Sequence, residues 1–370
     1  MCGSNSMHLY FNGDDFTNFI SFAKTMNARA KSSLTKIALL HVEDNQLVCR
    51  AIDDTSNYIE YKVDLFNSSN LIADYIAVSI NDLIALVKCA NSDKFIIRKN
   101  LSQYEFNIIG GGWLPFKAVE VDTSKYILDG TISEIGTINS VKLRNAINSV
   151  VGYTQEYTYV RDMYIQFNES SMTATSRRSY VITKDKFVNM TLHRDEANLL
   201  KSLLKDNFDL SIERVESAVE KIVFIGPKFK YAVIAADIPP VNVTYHDKLE
   251  NYLKIDCDDL YKICAFSEEY SASKKLLGIS VKDGTLKISV KNILAAKHVS
   301  SIKSKQIGTV EDITNEAEIP AHTLLKVLKI FQDKKSKEIN IYISDTMIKD
   351  SNMLIIFDDN TQANIDICGR

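Results

Sequence analysis

Two helix landmarks return along this 370-residue chain at nearly constant spacing, and that periodicity constrains the fold more than any other feature. The acidic pair Asp14 and Asp15 precedes Phe16, Phe19, Ile20 and Ala23, an acidic first turn followed by an apolar face at helical spacing. Counterparts start at Ser140, with Val141, Leu143, Ala146, Ile147 and Val150, and at Asp256, with Leu260, Ile263 and Cys264. A second series starts at Ser79, Asp195 and Pro320, each opening an amphipathic stretch such as Leu324, Leu325, Val327, Leu328 and Phe331. First helices thus begin near 14, 140 and 256, second helices near 79, 195 and 320, so both landmarks return every 116–126 residues. Strand-like hairpins lie between them, for instance Ile37–Val42 and Leu47–Ile52 around a turn at Asp44-Asn45-Gln46, and Leu277–Val281 and Thr285–Val290 around Lys282-Asp283-Gly284. Identity between the passes is negligible; order and spacing carry the signal. The expectation is an α+β chain of three tandem units, 1–124, 125–248 and 249–370, each with two helices packed on antiparallel sheets.

Composition agrees with long regular elements. Only 13 glycines and 5 prolines interrupt the chain, well below an average share, which weakens any enzyme built on a glycine-rich phosphate cradle. No run approaches the roughly 18 apolar residues that span a bilayer, so no membrane partner is expected. Residues Met1–Tyr10 lack the charged and apolar regions of a signal peptide. The six cysteines are dispersed without a CxxC pair, as free thiols of a reducing compartment are, and the expected location is the cytoplasm.

The net charge of -3 conceals a division. The expected helical segments 14–31, 79–91, 140–151, 194–205, 256–266 and 320–337 hold 15 basic and 9 acidic residues, while the remainder is acidic. Their acids sit in first turns, where the helix dipole favours them. The bases Lys24, Arg29, Lys31, Lys142, Arg144, Lys201, Lys205, Lys326 and Lys329 lie further along. A positive face on an otherwise acidic body points to a polyanion held without reading base edges.

Catalytic signatures are missing. The six histidines form no HExxH and no close metal-ligand pair, Gly110-Gly111-Gly112 lacks the Lys-Ser/Thr of a phosphate loop, and no Gly-x-Ser-x-Gly elbow occurs. Acidic pairs such as Asp53-Asp54 and Asp358-Asp359 fit solvated turns at strand ends. No metal, cofactor or catalytic residue is expected.

Several segments resemble the bacterial DNA polymerase III beta subunit, the replication sliding clamp. Leu47-Val48-Cys49-Arg50-Ala51-Ile52-Asp53 is similar to its strand ending in an acidic turn, and Ile76-Ala77-Val78-Ser79 through Val87 to the lead into its second helix. Trp113-Leu114-Pro115-Phe116 resembles the aromatic–proline link leaving its first domain. Ala174-Thr175-Ser176-Arg177-Arg178-Ser179-Tyr180 falls on the family's Ala-Thr-Asp-Gly-His-Arg-Leu motif and matches it outright at Ala174 and Thr175. Asp237-Ile238-Pro239-Pro240 and the terminal Ile365-Asp366-Ile367-Cys368-Gly369-Arg370 resemble two further segments through a proline and an arginine. The resemblance spans the chain and suggests a divergent member, from a cell, phage or plasmid.

That resemblance implies a head-to-tail homodimer closing a ring of clamp folds around duplex DNA, loaded by an ATP-driven clamp loader and tethering the replicative DNA polymerase as a processivity factor. It implies no catalysis. It also implies an apolar pocket for short partner peptides between the second and third domains, walled by Val160, Thr175, Tyr180, Pro239, Ile365 and Ile367. Two other classes compete: a polynucleotide-processing enzyme with an unrecognised site, and a peptide-binding adaptor that never encircles DNA.

Overall fold

The computed structural model describes residues 8–28, 36–67, 75–90, 93–100, 103–154, 160–176, 179–241, 243, 245–270, 276–291, 297–343 and 353–366. Strand β1 (His8–Asn12) leads into helix α1 (Gly13–Met26), followed by β2 (Ile37–Glu43), β3 (Gln46–Ile52), β4 (Tyr58–Asp64) and β5 (Ile76–Ser79). Helix α2 (Ile80–Cys89) and strands β6 (Lys94–Asn100), β7 (Gln103–Asn107) and β8 (Trp113–Phe116) complete this run. The same order runs through β9 (Thr131–Asn139), α3 (Ser140–Val151), β10 (Tyr164–Asn168), β11 (Ser171–Ser176), β12 (Ser179–Lys184) and β13 (Met190–His193). It continues with α4 (Arg194–Leu203), β14 (Asp209–Glu216), β15 (Lys221–Ile225) and β16 (Phe229–Ile234). From β17 (Tyr252–Asp256) and α5 (Cys257–Tyr270) come β18 (Leu276–Lys282), β19 (Thr285–Lys291), β20 (Lys297–Ile302), an inserted β21 (Ser304–Ile307) and β22 (Ile313–Pro320). Helix α6 (Ala321–Asp333) and strands β23 (Glu338–Tyr342), β24 (Met353–Phe357) and β25 (Thr361–Asp366) end it.

Local chemistry explains the boundaries. Asn12 caps α1 by accepting the Asp15 amide at 3.0 Å, and Ser79 caps α2 through the Asp82 amide at 3.5 Å. The hairpin turns fall where the sequence puts them: Asp44 and Asn45 have φ of 48° and 60°, and Asp283 and Gly284 have 51° and 67°. Both central residues in the left-handed region is the arrangement that matches strand twist in a two-residue hairpin.

The chain gathers into two compact units, residues 1–140 with 199–235, and residues 141–198 with 236–370. These cuts differ from the expected boundaries because the large sheets run through them. The first unit holds an eight-stranded sheet ordered β5-β2-β3-β4-β16-β15-β14-β9 and a four-stranded sheet β1-β6-β7-β8. An aromatic core of Phe11, Phe16, Phe95 and Phe106 fills the space between α1 and the smaller sheet, with ring centroids 5.1–6.4 Å apart. The second unit holds a nine-stranded sheet ordered β13-β10-β11-β12-β25-β24-β23-β17-β21 and a four-stranded sheet β20-β19-β18-β22. Each large sheet joins two groups of strands at an antiparallel seam. One seam pairs β4 with β16, Lys230 opposite Glu60; the other pairs β12 with β25, Asn364 opposite Tyr180.

Candidate functional site

The expected pocket residues converge on the second seam but divide between its faces. Side chains alternate along a strand, and directly opposed residues share a face. Thr183 on β12 meets Ser149 of α3 at 2.9 Å, so its face is the helix side. Val181 shares that side, and across the seam so do its partner Ala363 and, two residues on, Ile365. Ile365 is therefore core beneath the helices. Thr175, Tyr180 and Asn364 form a cross-strand row on the outer face, where Gln166 and Gln362 also lie. The Gln166 amide grips the following segment at both ends, donating to the Pro239 carbonyl at 2.9 Å and accepting from the Val241 amide at 2.8 Å. Gln362 does the same at His246, accepting from its amide at 2.9 Å and donating to its carbonyl at 3.3 Å. Pro239 is thereby held, exposed, over the row that Thr175 and Tyr180 occupy.

The Thr175 hydroxyl donates to the buried Asp162 carboxylate at 3.0 Å. Asp162 belongs to the 3-10 turn Val160–Met163, which brings Val160 into the same neighbourhood; its side chain and all of Ile367 lie outside the described residues. Asn364, which sequence reasoning missed, is 0% exposed and neither atom of its amide has a hydrogen-bond partner. An asparagine between apolar neighbours in a terminal strand carries no sequence signal; only register reveals it.

The first seam presents a different row at the corresponding place. There Arg50, Glu60 and Lys230 stand opposite one another. Arg50 Nε donates to Glu60 at 2.8 Å, the Tyr58 hydroxyl donates to the same oxygen at 2.8 Å, and Lys230 lies 3.9 Å from the other. Burial opposes ionisation of Glu60, but the hydrogen bonds from Tyr58 and Arg50 and the charges of Arg50 and Lys230 hold its carboxyl below the usual range. This row is closed by its own ion pairs. The second seam's row of Thr175, Tyr180 and Asn364 is neutral instead, and also buried, at 4%, 8% and 0% exposure.

The charge pattern needs correction in one respect. Within the observed bounds the six helices hold nine basic and ten acidic residues, so the positive excess does not lie on the helices themselves. It lies just past their C-termini, at Lys205, Lys334, Lys335 and Lys337, where cations complement the helix dipole. Lys24 is exposed on the last turn of α1, whereas Arg29 and Lys31 lie outside the described residues. Lys142 pairs with Asp185 at 2.7 Å, Lys205 donates to Asn18 at 3.2 Å, and Lys329 pairs with Asp333 at 2.9 Å. Arg144 and Lys201 are half-buried, and burial, then the nearby charge of Arg194, lowers the pKa of Lys326. Among the described residues no group of three or more His, Cys, Asp or Glu could hold a metal, and no helix is long and apolar enough to cross a membrane.

Two sheet edges complete the inventory. β8 and β20 end the four-stranded sheets, occupying in their runs the places that β16 and β4 occupy at the first seam. At that seam Phe22, the tenth residue of α1, packs on Tyr231 of β16 at 5.2 Å and is 4% exposed. Its counterpart, the tenth residue of α5, is Phe266, which is 49% exposed and meets the ring of His298 on β20 at 5.3 Å. Counting from the hairpin pairs Ile225–Lys230 and Asn107–Trp113, the counterpart of Tyr231 on β8 is Leu114, itself 38% exposed.

No family model and no curated protein matches this sequence. Solved structures do. A sliding clamp from Pseudomonas aeruginosa bound to griselimycin superposes with a TM-score of 0.79 at 15% identity, covering 99% of this chain and all of that one. The sliding clamp of Bacillus subtilis gives 0.78 at 15% identity over 99% and 100% of the two chains. The DNA polymerase III beta subunit of Thermotoga maritima gives 0.77 at 10% identity over 98% and 100%. The chain therefore has the fold of these clamps along essentially its whole length.

Proposed function

We propose that this chain is a DNA sliding clamp: a non-catalytic processivity factor that encircles duplex DNA and tethers a replicative DNA polymerase. Its three runs of strand, helix, four strands, helix and three strands are then three clamp units, 1–124, 125–248 and 249–370. The observation that carries the reading is the pair of unmatched edges. Within the chain, the third strand after a unit's first helix pairs with the last strand of a neighbouring unit, as β4 does with β16 and β12 with β25. β20 and β8 are the two members of that pairing left over. Joining β20 of one copy to β8 of a second, twice, closes a head-to-tail homodimer of six units. Phe266 then meets the second copy's Leu114 as Phe22 meets Tyr231.

Inside such a ring the helices and the lysines at their C-terminal ends face the duplex, holding phosphates without sequence preference. The candidate DNA contacts are Lys24, Arg29, Lys31, Lys142, Arg144, Lys201, Lys205, Lys326 and Lys329. An ATP-driven clamp loader is required because a closed ring cannot thread itself onto circular DNA. Partner peptides, the polymerase's included, dock on the outer face of the second seam at Thr175, Tyr180 and Pro239, with Val160 and Ile367 beside them and Ile365 supporting from the helix side. The neutral row there accepts a ligand that the ion-paired row of the first seam refuses.

The test is topological. The protein should sediment at twice 41.7 kDa, stay on nicked circular DNA after loading, and slide off when the circle is cut. Equal retention on circular and linear DNA, or a strict monomer, defeats the proposal. Phosphodiester hydrolysis lost on substituting Asp53 or Asp358 would instead establish an enzyme.

A further inference from the structure

On the helix side of the second seam lies a cleft of about 490 Å³, lined by α3, the end of β12, the C-terminal end of α6 and the β24–β25 turn. Its origin is a pair of small residues. The seventh and tenth residues of α1 are Phe19 and Phe22, both buried, and Phe22 closes on Tyr231. The same positions of α3 are Ala146 and Ser149, and the counterpart of Tyr231 is Ala363. Space filled by aromatic rings at the first seam is left open at the second, and the opening is polar. Among the described residues Ala146 is the single apolar one on its wall, against the amides of Asn145, Asn148 and Asn360 and the ammonium groups of Lys142, Lys334 and Lys335.

The charges do not cancel evenly. Lys142 is paired with Asp185, and Asp333 with Lys329 outside the cleft. Lys334 is committed to structure, donating to both oxygens of Asp358 at 2.9 and 2.6 Å, to Asn360 at 2.9 Å and to the Thr361 hydroxyl at 2.8 Å. Among the described residues Lys335 is left as the unbalanced cation. It also has φ of +60°, a left-handed conformation just past a helix where glycine is the favoured residue. A side chain is kept there against a backbone preference. At the first seam Lys205, which register places at Lys334's position, donates to Asn18, the counterpart of Asn145.

We propose that this cleft binds a phosphate group, with Lys335 as its charged ligand and the Asn145 and Asn148 amides as neutral donors. Such a site holds phosphate by one unbalanced charge and several neutral hydrogen bonds. That the phosphate belongs to the duplex backbone rests on the clamp reading; a free phosphate compound satisfies the same chemistry.

The experiment titrates inorganic pyrophosphate into the full-length protein by calorimetry, and a short duplex over a series of salt concentrations. Lys335→Gly removes the cation while relieving the backbone, so it should not lower Tm. Ser149→Phe fills the cleft as Phe22 fills its own seam. Pyrophosphate affinity should fall at least tenfold in both variants and stay unchanged in Lys282→Gln, an exposed lysine outside the cleft. If the backbone is the source, Lys335→Gly also reduces the slope of log affinity against log salt by roughly 0.9, the loss of one phosphate contact. A fall confined to pyrophosphate assigns a free phosphate compound. Unchanged pyrophosphate affinity in Lys335→Gly overturns the site. The pyrophosphate arm needs neither ring nor loader, so failure of the clamp reading leaves it interpretable.

Discussion

Phe266 supplies the sharpest test of the proposed contact between copies of this chain. It is 49% exposed, while Phe22 at the same position of α1 is 4% exposed against Tyr231. A phenylalanine has roughly 150–250 Å² to bury, so closing the remaining half against a second copy removes about 75–125 Å² from water. At about 25 cal/mol per Å² that contributes about 2–3 kcal/mol to each contact between copies. The ring has two such contacts, so Phe266→Ala should weaken dimerisation by roughly a thousand- to ten-thousandfold. It should cost the isolated chain less than truncating Phe22 does, because only half of the ring is buried there, against Tyr270 and His298. Sedimentation over a dilution series reads the first effect and thermal melting at low concentration reads the second. Phe22→Ala is the counterpart, expected to cost about 3–5 kcal/mol of fold stability by leaving a cavity. A Phe266→Ala dimer as tight as the parent refutes the placement of β20 and α5 at the contact.

Three further outcomes follow from buried polar groups. Glu60 has its carboxyl held below the usual range, so its contribution is present above the unfolded glutamate pKa of about 4.3 and is lost as pH falls through the lower folded value. Glu60→Gln should cost about 3–5 kcal/mol at neutral pH and flatten the acid limb of the Tm profile; an acid limb identical to the parent's contradicts the assignment. Thr183→Val should cost about 1–3 kcal/mol in denaturant melts, because Thr183 links Ser149 at 2.9 Å to Thr361 at 3.1 Å in a buried hydroxyl chain. Asn364→Leu, by contrast, should raise stability by about 1–3 kcal/mol, since it removes a buried amide with no partner. A destabilised Asn364→Leu protein would show that the amide is satisfied.

The helices were legible because each starts with a residue whose chemistry marks it: Asp14 and Asp15, Ser79, Ser140, Asp195 and Pro320 all stand within a turn of an observed start. Hairpins with left-handed turn residues were legible for the same reason. Strand β9, exposed along most of its length, presents no alternating apolar run, and β13 alternates over only four residues joining a turn to a helix; both went unseen. The residues expected to wall a pocket were legible as a neighbourhood, without the face each one occupies. Position along the chain brought Thr175, Tyr180 and Ile365 to one seam, but only register separates Ile365, on the helix side, from Asn364 on the outer face. The helix charge was misread because lysines past a helix end were counted with the helix.

One backbone rule with three side-chain solutions accounts for how so little identity supports so complete a likeness. Each seam needs an antiparallel pairing between two strands, and main-chain hydrogen bonds supply it whatever the sequence. The side chains then decide what the seam does. Phe22 with Tyr231 closes the first and Arg50 with Glu60 and Lys230 locks its outer row. Ala146, Ser149 and Ala363 open the second, leaving a polar cleft on one face and a neutral row on the other. Phe266 and Leu114 leave the third solution exposed, which is stable in water only as long as the surface is small or covered. Aromatic residues at the first seam and small residues at the second thus give one backbone pairing two different surfaces.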